Sequence, residues 1–112
     1  MKIEAYRFGE IEIDGKVYEH DVILTGSEVR CWIRKESHNV FWEEVAGLLD
    51  FSPEVIVIGT GAVGVMNVPP KVVDRLRHRG VGVIVERTGK ACEIFNETSK
   101  EKKVAAALHL TC

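Results

Sequence analysis

Residues 55 to 64 read Val-Ile-Val-Ile-Gly-Thr-Gly-Ala-Val-Gly, an unbroken β-branched run leading straight into a glycine-rich turn. A continuous apolar run of this kind fits a strand covered on both faces, not one with a wet side. Both covers have to come from the flanking chain. Upstream, Ser37-His38-Asn39 offers cap residues ahead of Phe41, Trp42, Val45, Leu48 and Leu49, whose spacing builds one apolar helical stripe over about 40–50. Ser52-Pro53 ends that helix, because proline disfavours helical geometry in the residue before it. Downstream, Val68-Pro69-Pro70 opens a helix over about 69–79, with Val72, Val73 and Leu76 inward, basic residues in the last turn and Gly80 as the stop. Val81 to Val85 is a second buried strand, Thr88 is placed to cap a third helix through Ala91, Ile94 and Phe95, and Val104 to Leu110 supplies a last strand. Strands alternating with helices imply parallel βαβ units with right-handed crossovers.

The first third has a different grammar. Ile3–Phe8 and Glu10–Ile13 are short β-like runs, and Asp14-Gly15 is a hairpin signal because a type I′ turn needs positive φ at both central residues. The return strand is Val17 to Leu24. After Thr25-Gly26-Ser27, Val29, Cys31 and Ile33 alternate with Arg30, Trp32 and Arg34, giving one apolar and one mixed face. The expected fold is α/β: a mixed central sheet with parallel βαβ units flanked by helices, preceded by an antiparallel β-meander, all in a single domain over 1–112.

At 112 residues and 46% hydrophobic the chain matches one ordinary domain with its own core. A net charge of -2 offers no broad field for nucleic acid or an anionic membrane, and no apolar run is long enough to span a bilayer. Cys31, Cys92 and Cys112 are odd in number and lack the spacing of a disulfide framework or a zinc site, so a reducing, cytoplasmic setting is expected, with no metal. The N-terminus lacks the apolar region of a secretory signal. Glutamine is absent while Glu, Lys and Arg are plentiful, the bias of a thermophile.

Gly59, Gly61 and Gly64 satisfy the dinucleotide fingerprint, and Glu86 stands where a ribose-binding acid would. Against that reading, Val68-Pro69-Pro70 delays the helix whose N-terminus should meet the pyrophosphate. A structural turn is the simpler reading, and no cofactor is expected. A weaker form remains open, in which Gly59, Thr60, Gly61 and Gly64 hold a small anion together with Arg87. Cys92, near a helix start, and the His109–Cys112 pair are candidate reactive groups, with packing as the alternative for each. Trp32 and Arg34 are either an exposed contact surface or residues packed under the first helix. No catalytic constellation can be assembled from spacing.

Taken together, Tyr6-Arg7-Phe8-Gly9, Val57-Ile58-Gly59-Thr60-Gly61, Phe95-Asn96 and the closing Val104–Cys112 stretch resemble a family of uncharacterised archaeal and bacterial domains. Relatives of that family include the mitochondrial respiratory complex I assembly factor three and the adipogenesis-associated domain protein. The resemblance implies three layers, with helices and an extra β layer around the central sheet, and it carries no catalytic residues. It also implies work through protein partners or self-association. The expected function is therefore a non-catalytic, assembly-factor-like binding module, and the alternative is a small-ligand protein or enzyme using the glycine loop.

Overall fold

The computed structural model describes residues 1–112, with eight strands and three α-helices. Strands β1 (Ile3–Arg7), β2 (Glu10–Ile13) and β3 (Lys16–Tyr18) form an antiparallel sheet of their own. Strands β4 (Val22–Thr25), β5 (Glu28–Cys31), β6 (Val55–Thr60), β7 (Gly82–Glu86) and β8 (Val104–His109) form the central sheet in the order β5-β4-β8-β6-β7. There β6 runs parallel to both β7 and β8, while β4 lies antiparallel to β8 and to β5. The α/β class, the mixed sheet and the parallel units are as expected.

The meander differs from its expectation. Val17 to Leu24 is two strands, broken at Glu19-His20-Asp21, so the first sheet ends at β3 and the β4–β5 hairpin joins the central sheet. The reason lies in β8, which is buried along its whole length and needs a partner on each side; β6 covers one edge and β4 the other. Helix one also differs. It is a short α1 (Trp42–Ala46) that tightens into a 3-10 turn over Gly47–Phe51, as expected where glycine interrupts a short helix.

Pleating sorts the core into two layers. Val55, Val57, Ala106 and Leu108 face α3 (Thr88–Thr98) and the small sheet, where Ile3, Ile11, Ile13, Cys92 and Phe95 meet them. Ile56, Ile58, Ala105 and Ala107 face α1, the 3-10 turn and α2 (Pro70–Arg77), against Val45, Leu48, Val72 and Leu76. The three layers implied by the resemblance are thus the small sheet with α3, the central sheet, and α1 with α2. The crossovers from β6 and from β7 leave to opposite sides, which places their outgoing loops side by side at the strands' carboxyl ends.

Candidate functional site

Sheets of this kind gather their loops at the carboxyl ends of the parallel strands, and most of the residues singled out from the sequence lie there, Cys92 on α3 being the exception. Thr60 ends β6, His109 ends β8, and Arg87 follows β7. Gly59 is glycine because α3 crosses directly above it: a Cβ there would stand 2.8 Å from Thr88 Oγ1 and 3.0 Å from Leu108 Cδ2. Thr88 is the first helical residue, not the cap foreseen from its position. Its wholly buried hydroxyl donates to the His109 carbonyl at 2.5 Å and accepts the Gly61 N–H at 2.9 Å, tying three elements together.

Beyond Gly61 the loop closes on the end of the chain. Gly61 sits at φ +107°, and a side chain there would run into the carbonyl group of Cys112. The Ala62 N–H donates to the Thr111 carbonyl at 2.7 Å and the Val65 N–H to the Cys112 carbonyl at 2.9 Å. Met66 N–H returns to the Thr60 carbonyl at 3.2 Å, and Thr60 Oγ1 donates to the Glu86 carbonyl at 3.1 Å. Amides that would cradle a phosphate are thereby spent on residues 60, 88, 111 and 112, and α2 begins only at Pro70. Arg87 is exposed, with its side chain against Gly64: a Cβ there would lie 3.3 Å from Arg87 Nε. Glycine loop and arginine do adjoin, around a loop the chain itself fills.

Trp32 and Arg34 point inward. Trp32 is 4% exposed, packs among the α1 and α2 residues, and donates its indole N–H to Glu44 Oε1 at 3.1 Å. The Arg34 side chain is 8% exposed. Its Nη1 lies 3.4 Å from Asp21 Oδ2 and 2.7 Å from His109 Nδ1, and its Nη2 donates to the carbonyls of Glu36 and Ser37 at 2.8 and 2.5 Å. Asp21 also holds His109 Nδ1 at 2.8 Å and accepts the Leu110 N–H at 2.8 Å. His109 Nε2 reaches Thr111 Oγ1 at 3.4 Å. Carboxylate, imidazole and hydroxyl stand in the order of a nucleophilic relay. Arg34 shares the imidazole nitrogen, however, and the group closes on backbone carbonyls, so its geometry is that of a latch joining the segments around 21, 34–37 and 109–111.

Between those two buried side chains, Ile33 is 84% exposed. The alternation foreseen here is present with its faces exchanged: Cys31 and Ile33 look outward while Trp32 and Arg34 look in. Phe8, Val63 and Val65 are also exposed, at 62%, 57% and 47%. These apolar residues share one neighbourhood, since Gly9 N–H binds the Leu110 carbonyl at 2.8 Å, Ala62 and Val65 bind residues 111 and 112, and Arg34 binds His109. The sequence held no periodic signal for this cluster, whose members sit on three separate loops.

The cysteines divide by burial. Cys92 is buried on α3, and desolvation, with Glu93 nearby, pushes its thiol up to about 12, the state of an inert packing group. Cys31 and Cys112 are exposed. Burial also raises the Tyr6 phenol, which donates to the Leu110 carbonyl at 2.8 Å. No helix is long and apolar enough to cross a membrane. A cavity of about 520 Å3 lies between α1 and the start of α2.

A family described as proteins of unknown function (DUF498/DUF598) matches residues 3–109. The chain belongs to this family. Among DUF498/DUF598 relatives, NADH dehydrogenase [ubiquinone] 1 alpha subcomplex assembly factor 3 of Bos taurus is 35% identical over 115 residues, covering 96% of this chain and 59% of the relative. The protein of the same name from Homo sapiens is 33% identical over 114 residues with the same coverage. The chain thus spans less than two thirds of the length of these relatives. A conserved hypothetical protein of Pyrococcus horikoshii OT3 superposes with a TM-score of 0.91 at 29% identity, each chain covered in full. An outer membrane protein from Bartonella henselae, at 23% identity and a TM-score of 0.83, covers 98% of this chain and 94% of its own and shares the fold. The resemblance read from the sequence is to this same family.

Proposed function

We propose that this domain, 1–112 acting as one unit in the cytoplasm, is a non-catalytic protein-binding module of the assembly-factor type. The supporting observation is the apolar group Phe8, Ile33, Val63 and Val65 at the carboxyl ends of the strands, exposed on loops that are each hydrogen-bonded to residues 109–112. Exposed apolar side chains gathered on rigidly tied loops are what a protein interface requires. Trp32 and Arg34 belong to it as anchors, holding Ile33 outward from beneath. Relatives named as assembly factors give the partner class: a protein subunit met during assembly. A photo-crosslinking residue at position 33, expressed in the host cell, should yield a discrete protein adduct that Val63→Asp abolishes, while the same residue at position 90 on α3 yields none. Equal adducts at 33 and 90 would refute the surface.

A second reading keeps an anion at Arg87, which lies against Gly64 and belongs to none of the chain's ion pairs. It makes Gly59, Thr60, Gly61 and Gly64 the wall of the site and Arg87 its charge. A thermal-shift screen with phosphate and nucleotides tests it, since a ligand at a hundred times its Kd stabilises by about 2.7 kcal/mol. That reading requires the shift to vanish in Arg87→Gln.

A further inference from the structure

The layer made by α1 and α2 carries a second feature. Lys71, Arg75 and Arg79 recur every fourth residue on α2 and just past its end, so they share one face. All three are exposed, and none belongs to any ion pair of the chain. Trp42, the first residue of α1, lies against the two arginines: the guanidinium carbon of Arg75 is 4.1 Å from its ring centroid and that of Arg79 is 5.1 Å. The 520 Å3 cavity opens beside this group, with Phe41, Trp42, Pro69 and Val72 on its apolar side and Lys71 and Arg75 on its charged side. Glu36 and Glu43 also line the cavity and are already engaged: Glu36 accepts from Asn39 Nδ2 at 3.2 Å and Glu43 pairs with Lys35 at 3.8 Å.

We propose that the Lys71–Arg75–Arg79 face, with Trp42 and the adjoining cavity, is a docking surface for an acidic segment of another protein that also carries an apolar side chain. Charge complementarity selects the occupant. A guanidinium lying on an aromatic ring keeps its in-plane N–H donors free and is matched in shape to a carboxylate. The ring also restrains two long side chains before the partner arrives, which lowers the ordering cost of binding. The cavity takes an apolar side chain next to the carboxylates, as amphipathic segments present them at helical spacing. Nucleic acid is the weaker fit, because the positive stripe is confined to three residues of a chain whose net charge is -2.

The test is fluorescence anisotropy with a labelled peptide repeating Leu-Glu-Glu-Leu-Leu-Glu-Glu, its Glu→Gln counterpart, and a single-stranded oligonucleotide. Wild-type protein should bind the acidic peptide, prefer it to both controls, and lose affinity by roughly tenfold or more in R75Q/R79Q, since each charge-assisted hydrogen bond is a strong one. Lys90→Gln, an exposed cation on α3, should leave the affinity unchanged. Thermal melts of the variants separate lost binding from lost folding. Failure of the acidic peptide to bind, retention of affinity in a folded R75Q/R79Q protein, or tighter binding of the oligonucleotide would each overturn the proposal.

Discussion

The chain has two tryptophans, and each lies against arginine, but the two groups are built for opposite ends. At Trp32 the partner is Arg34, whose guanidinium carbon is 5.3 Å from the ring and whose Nη donors go to Asp21 and to the carbonyls of Glu36 and Ser37. Both side chains are buried. At Trp42 the partners are Arg75 and Arg79, which approach the ring at similar distances yet end in solvent with no carboxylate. The same contact is a structural latch where both guanidinium Nη atoms are engaged, Nε alone being left without a partner, and an open surface where none is. Hydrogen-bond accounting, not residue type, separates the two.

Breaking the latch should have the largest effect. Arg34→Met leaves the Asp21 carboxylate in a largely buried place without its cation, a change that costs about 3–5 kcal/mol. Against a total stability of roughly 5–15 kcal/mol, urea denaturation should show a large fall in midpoint. Trp32→Ala should cost a similar amount by leaving a cavity and taking the indole donor from Glu44 Oε1. A loss under about 1 kcal/mol for either would mean that the buried group is not the latch described.

Gly61→Val comes next. It places a β-branched side chain at positive φ and against the Cys112 carbonyl group, so a loss of about 2–4 kcal/mol is expected from strain and overpacking. The loss should be the same with and without nucleotide. Cys92 gives a smaller, pH-dependent effect. Its folded value of about 12 lies above the ordinary 9.0, so the folded state holds the proton more tightly. This contribution is fully present below pH 9 and fades as pH rises toward about 12. Wild-type stability should therefore fall more steeply over that window than that of Cys92→Ala, and at pH 8 a thiol reagent should modify Cys31 and Cys112 while sparing Cys92. The smallest effect belongs to the open pair: R75Q/R79Q should change stability by no more than about 1 kcal/mol, because exposed cation–π contacts contribute little. A large destabilisation there would erase the contrast between the two tryptophans.

Much of this fold was legible because its signals are local. The β-branched run at 55–58, the prolines at the start of α2, the glycine after it and the apolar stretch at 104–108 each mark an element by composition alone. The split of 17–24 into β3 and β4 was not legible, because it answers the need of β8, some eighty residues away, for a second edge partner. The site follows the same division. Gly59 and Gly61 were found as glycines, but the reasons for them are Thr88 and Cys112, contacts made only by folding. Trp32 and Arg34 attracted attention as neighbours in sequence, whereas Trp42, Arg75 and Arg79 form a group assembled from two helices. The recurrence of Lys71, Arg75 and Arg79 at every fourth residue was the one sequence signal for that face.

The glycine loop is filled by the chain itself, so the surface proposed for a partner consists of exposed loops and helix faces, not a phosphate cradle. Amide hydrogen exchange measured by NMR at Gly61, Ala62 and Val65 tests this directly, because those N–H groups bond to Thr88, Thr111 and Cys112. The prediction is slow exchange in the free protein and resonances that stay fixed when phosphate, nicotinamide or adenine nucleotides are added. Fast exchange in the free protein, followed by shifts and new protection on adding a nucleotide, would show an open cradle and contradict the account.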